Sequence, residues 1–253
     1  MTNSPDDLDS AIRRDDPDRW LATRFVGDPG RRAELVALYA FNDAVARVAG
    51  QVSNALLGDI RLAWWREGLE ALTAGGPVRP HPVLQALVPT ARDGRLDGAA
   101  LARLIEARAA DLEPAPFADE AALVAYVDGT AGAVMAAAAR LLDPAADPAS
   151  VVSAARAWGW TGLWRAGPAL AAQNRRWTPL AWGEADEAEI AAHVRHRVEE
   201  ALAAARKPLT ALPVAAFPAV AYATLARAYV HGRQPGELEK RARLLAAVAR
   251  GRV

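Results

Sequence analysis

His193, His196 and Glu200 recur at i, i+3 and i+7, a spacing that puts a possible metal grip on one helical face. Arg195 and Arg197 flank them, and neighbouring cations disfavour a divalent ion, so a solvated charged face is the better description. The acids Asp6, Asp7, Asp9, Asp15, Asp16 and Asp18 could chelate a cation. Clustered at the start of the chain, they read instead as a solvated acidic tail, with residues 1–10 disordered. Asp43 stands alone. The nearest acid on its helix is Glu34, nine residues back, which is about 180° away at ~100° per residue. From Pro148 to Gly183 there is no Asp or Glu, whereas Arg156, Arg165, Arg175 and Arg176 lie within that stretch. The absence of cysteine removes disulfides, thiolate nucleophiles and Cys-based zinc sites. No Ser-His-Asp order, phosphate-cradling glycine loop or nucleic-acid motif stands out. No metal site is expected.

The elements that must carry these residues are helical. Over half of the 253 residues are hydrophobic, alanine dominates, and β-branched alternation is scarce, which points to an all-α protein with a sizeable core. Leu8 to Phe25 reads as a helix broken at Asp16-Pro17. Two helices follow between Leu35 and Leu72. The first buries Leu35, Leu38, Phe41, Val45, Val48 and Val52, and the second turns Ile60, Trp64, Gly68 and Leu72 to one face. Asp119 is a predicted N-cap for a long helix ending near Leu142. A helix from Ala149 to about Gly167 carries Trp158, Trp160 and Trp164. Glu184 to Lys207 is amphipathic, Pro218 suits the first turn of a helix to Val230, and a basic helix covers Leu238 to Val248. No repeat or composition break divides the chain, so a single domain of roughly ten helices, spanning residues 1–253, is expected.

Thirty basic and thirty acidic residues cancel, so no bulk field draws the protein to nucleic acid. The acidic N-terminal stretch lacks the apolar core of a signal peptide. The longest charge-free apolar run in a predicted helix, Thr130 to Ala139, falls short of the ~20 residues of a membrane span. The expectation is a cytoplasmic protein, with any membrane contact peripheral, for example through the basic tail.

Ala37-Leu38-Tyr39-Ala40-Phe41, Asp16-Pro17-Asp18-Arg19-Trp20-Leu21 and Leu57 to Glu67 with its Arg-Leu-Ala-Trp-Trp-Arg run resemble the squalene/phytoene synthase family. His81-Pro82-Val83, Ala107 to Leu112, Tyr126 to Gly132 and Ala155 to Arg165 follow in the family's order. The resemblance implies an isoprenoid-synthase helical bundle with a central cavity. It also implies two aspartate-rich motifs on facing helices, which hold Mg²⁺ against prenyl diphosphates. Those acids are expected at Ala46, Arg47 and Gly50 and at Ala166 and Leu170, and none of the five is acidic. Asn42, Tyr126, Trp160, Trp164 and Arg165 are the residues expected to line the cavity.

Without carboxylates to anchor Mg²⁺, no cofactor and no catalytic residue is expected. This departure is similar to a branch of the superfamily whose members assist assembly of respiratory complex I. That likeness implies a protein partner, possession of a respiratory subunit as client, and a place at the inner face of a membrane. Two other functions stay open. One is a Mg²⁺-dependent head-to-head prenyltransferase whose acids come from other positions. The other is a lipid- or isoprenoid-binding module without chemistry.

Overall fold

The computed structural model describes residues 5–253, and among them there are helices but no strands. Helix α1 spans Pro5–Asp15 and α2 spans Pro17–Thr23. The break between them has a local cause: Asp16 accepts a hydrogen bond from the Arg19 backbone N–H, and Pro17 occupies the first turn. Of the residues 1–10 expected to be disordered, 5–10 belong to α1, and 1–4 lie outside the described residues. Asp9, Asp15, Asp16 and Asp18 are anchored rather than solvated. Asp9 pairs with Arg24 at 2.6 Å and Asp15 with Arg47 at 2.9 Å.

Helix α3 spans Pro29–Ala46 and α4 spans Ala55–Thr73, joined through a 3₁₀ turn at Ala49–Gln51. The expected face of α3 is in the core, with Leu35, Leu38, Phe41, Val45 and Val48 buried. On α4 the expected face is wrong by part of a turn. Leu62, Trp65, Leu69 and Leu72 are buried, whereas Leu56, Leu57, Ile60 and Trp64 form an exposed apolar strip. Trp64 and Trp65 compete for the core, and Trp65 takes it by packing edge-on to Phe41 with ring centroids 5.4 Å apart.

Short helices α5 (Pro82–Ala86) and α6 (Val88–Arg92) lead to α7 (Gly98–Ala107), which tightens into a 3₁₀ stretch at Arg108–Leu112. Asp119 caps α8 (Glu120–Val127), accepting from the Ala122 N–H at 2.9 Å. A turn of π-helix at Asp128–Gly132 joins it to α9 (Ala133–Leu142). This composite helix, Glu120–Leu142, is long and apolar enough to cross a membrane, but its most apolar stretch is largely buried within the bundle. Helix α10 spans Val152–Ala171 and crosses it at Gly159, where a Cβ would fall 2.5 Å from a methyl carbon of Val127.

Helix α11 (Glu187–Ala205) opens with a reciprocal capping box between Asp186 and Glu189. Pro218 lies within a 3₁₀ stretch, Val214–Ala219, instead of opening a long α-helix. A second 3₁₀ stretch, Ala221–Leu225, precedes α12 (Ala226–Val230), and α13 spans Glu237–Arg250. The two ends of the fold meet at Asp18, only 3% exposed in its side chain. Its carboxylate accepts from the Tyr229 hydroxyl at 2.7 Å and pairs with Lys240 at 2.8 Å and Arg165 at 3.5 Å.

Candidate functional site

A cavity of about 330 Å³ opens between α3, α10 and the α7–α9 region. Helix α3 contributes Asn42 and Ala46, one turn apart. Facing them, α10 contributes Trp158, Gly162, Leu163, Ala166 and Leu170. The π-helical turn supplies Thr130 and Ala131, and a π turn in a wall is common at functional sites because it re-aims side chains.

Three of the five positions expected to carry acids, Ala46, Ala166 and Leu170, line this cavity. Arg47 and Gly50 do not. Arg47 is turned outward to pair with Asp43 at 2.8 Å and Asp15, and Gly50 sits exposed in the 3₁₀ turn. Burial of Asp43 pushes its carboxyl above the usual range, outweighing the opposing pull of Arg47.

Of the five residues expected to line the cavity, Asn42 and Tyr126 do so. Trp160, Trp164 and Arg165 do not, and helical geometry explains why. On α10 the cavity face runs through residues 158, 162 and 166, and positions 160 and 164 point away from it at ~100° per residue. Trp160 instead stacks on Trp182, with ring planes 5° apart, beside a separate surface groove. Trp164 packs partly buried at the edge of the core. Arg165 stacks on Tyr229 at 4.2 Å and reaches Asp18.

The charged lining was not anticipated from sequence. It consists of Arg19, Arg108, Arg175 and Asp111. Arg19 is only 8% exposed; it bonds Asp16 at 2.8 Å, and its Nε has no well-directed acceptor, although the Tyr222 ring lies alongside. Its guanidinium is held above its ordinary pKa by Asp16, against the cost of burial. Arg108 bonds Asp111 at 3.0 Å and donates to the Tyr126 hydroxyl at 2.7 Å, and that hydroxyl donates to Asp111 at 2.8 Å. The Arg108 Nε is likewise buried without an acceptor. Burial raises the Tyr126 phenol well above its ordinary range, so it stays a neutral donor. Arg175 follows α10 and reaches the Asp111 backbone carbonyl. Segments 16–21 and 107–112 had already stood out by resemblance, and their arginines were the signal available.

No histidine lines this cavity. His193 lies 3.0 Å from Glu120, while Arg197 bridges Glu120 and Glu200 at 2.6 and 2.9 Å, and His196 is exposed. His81 Nδ1 accepts from the Val83 N–H at 3.3 Å, and its ring packs against Trp64 and Trp65. Among the described residues, no group of three or more His, Cys, Asp or Glu side chains converges to hold a metal ion. A cavity walled by Ala46, Ala166, Leu170 and three arginines, whose one carboxylate, Asp111, is engaged by Arg108, Arg175 and Tyr126, does not fit Mg²⁺, a hard cation anchored by several carboxylate oxygens.

A family model described as squalene/phytoene synthase matches residues 12–251. The chain is similar in fold to a solved structure described as a dehydrosqualene synthase in complex with ligand. Their TM-score is 0.75 at 17% identity, covering 96% of this chain and 94% of that one. No curated protein matches the sequence.

Proposed function

We propose that this chain, which belongs to the squalene/phytoene synthase family, is a member that does not run metal-assisted diphosphate chemistry and acts as an interaction factor. The observation that carries the reading is the cavity wall. Where facing helices would need carboxylates to bridge Mg²⁺ to a diphosphate, they carry Ala46, Ala166 and Leu170. A diphosphate leaving group would find no divalent ion to neutralise it there, so its departure would not be assisted. The likeness in fold to a dehydrosqualene synthase does not oppose this, because fold and chemistry separate readily.

The partner surface in this reading is the outer face of α4. Leu56, Leu57, Ile60 and Trp64 are 69, 44, 57 and 37% exposed and lie within one strip. Contiguous exposed apolar side chains of this size are what a protein–protein contact covers. The reading takes the partner to be a subunit of a respiratory membrane complex, complex I, met at the cytoplasmic side of the membrane, with the protein itself held peripherally.

Incubation with farnesyl or geranylgeranyl diphosphate and Mg²⁺ should release no diphosphate; chelator-sensitive release would restore the head-to-head prenyltransferase reading. Deleting the gene should lower complex I activity and leave carotenoids and hopanoids unchanged. Replacement by the Ile60→Asp variant should reproduce that loss, and unchanged complex I activity in the deletion would overturn the assembly role.

A further inference from the structure

The cavity holds more positive charge than its own residues neutralise. Arg19, Arg108 and Arg175 face two contacting carboxylates, Asp16 and Asp111, which leaves one positive charge in excess. Arg108 keeps a buried Nε–H without an acceptor, and Arg19, more than nine-tenths buried, has no well-directed acceptor for its Nε–H, with only the Tyr222 hydroxyl as a neutral partner. Buried guanidinium groups left short of acceptors cost stability, and an oxyanion entering between them would recover it through charge-assisted hydrogen bonds. Asn42, 6% exposed, adds a neutral polar group to the same wall. The rest of the lining is apolar, from Val127, Trp158, Leu163 and Leu170.

Charge and size together limit what fits. One excess positive charge matches a carboxylate or the monoanion of a phosphate monoester, whereas a diphosphate would stay under-neutralised without a divalent ion. A volume of about 330 Å³ is at the lower end for a single small-molecule ligand, so it takes one short chain and not two long ones.

We propose that this cavity binds, without a metal, one amphiphile whose single terminal oxyanion is held by Arg19, Arg108 and Arg175 and whose short apolar chain lies against Trp158, Leu163 and Leu170. The inference rests on the non-catalytic reading only in needing no magnesium.

The test is calorimetric titration of the full chain in EDTA with geranyl monophosphate, decanoate and inorganic phosphate. Both amphiphiles, or one of them, should bind one-to-one, and the selective case identifies the headgroup as phosphate or carboxylate. Inorganic phosphate should bind at least tenfold more weakly, because it lacks the chain. Arg175→Gln, at a partly exposed side chain, should weaken amphiphile binding at least tenfold while thermal unfolding stays near wild type. Ala166→Asp, at an exposed position on the cavity wall, should weaken it similarly by adding a carboxylate, so the test survives if the first variant folds poorly. Failure of both amphiphiles to bind, binding that requires Mg²⁺, or binding indifferent to both substitutions would overturn the proposal. A parallel farnesyl diphosphate assay with Mg²⁺ keeps the two readings separable: diphosphate release there overturns the non-catalytic reading, whereas the titration in EDTA decides ligand binding.

Discussion

The buried carboxylate of Asp18 allows a quantitative test of how the fold is closed. Lys240→Met removes the ammonium 2.8 Å away but keeps most of the apolar stem, which is 14% exposed. At an effective dielectric of about 20, the pair's gross attraction is roughly 6 kcal/mol, and desolvation of both charges offsets much of it. Stranding a buried carboxylate costs about 3–5 kcal/mol, and the remaining Arg165 contact at 3.5 Å and Tyr229 hydroxyl argue for the low end, about 3 kcal/mol. For a chain of this length that is a fall in Tm of about 6 °C. Asp18→Asn should cost less, since it leaves Lys240 and Arg165 nearer solvent than Asp18 itself. Combined in one protein, the two substitutions should cost less than their sum, with a coupling of about 2 kcal/mol in urea or thermal unfolding. A coupling under about 0.5 kcal/mol, the range of exposed pairs, would refute the claim that this ion pair is a buried one.

Gly159→Ala should lower stability by about 1–3 kcal/mol, because the added methyl meets Val127 at 2.5 Å, whereas Gly162→Ala has nothing within 4 Å and should be neutral or stabilising in thermal unfolding. Asp186→Ala should cost about 1 kcal/mol by removing the reciprocal cap of α11, measured by urea unfolding. Asp43→Asn should leave Tm at pH 7 unchanged or raise it. A carboxyl whose folded pKa is raised costs stability above that pKa, and the cost is relieved as pH falls through it towards the unfolded value; a loss of several degrees would show that pairing with Arg47 outweighs burial. Lys240, whose pKa is raised by Asp18 and Tyr229 against the cost of burial, should add stability that is intact below its unfolded value of 10.5. That contribution is lost as pH rises through the folded value, so the wild-type advantage over Lys240→Met should shrink in strong alkali.

Much of this architecture was readable from residue spacing, and the failures have specific causes. The α3 core face followed from period 3.6, as did the break at Asp16-Pro17 and the cap at Asp119. Helix α4 defeated the same reasoning because apolar residues surround it, so periodicity could not tell the Trp65 face from the Trp64 face. The acidic start looked disordered because its partners, Arg24, Arg47 and Lys240, lie on other elements and only tertiary structure brings them near. Ala46, Ala166 and Leu170 were placed at the cavity by resemblance, and they line it. Of the three tryptophans that could line the cavity by residue type, Trp158, Trp160 and Trp164, only Trp158 does, as a helical projection from Ala166 selects. Arg19 and Arg108 escaped notice because only the fold brings them to one cavity, although each bonds an acid three residues away.

The junction at Asp18 also imposes an order on biosynthesis. Tyr229 and Lys240 follow Asp18 by more than two hundred residues, so a nascent chain carries α2 through the synthesis of all that lies between with that carboxylate lacking its final counter-ion. The α2 segment cannot reach its final environment until residues 229 and 240 have left the ribosome. The bundle is thus expected to lock only once residue 240 has emerged, and a chain stalled before it should remain sensitive to protease in α2.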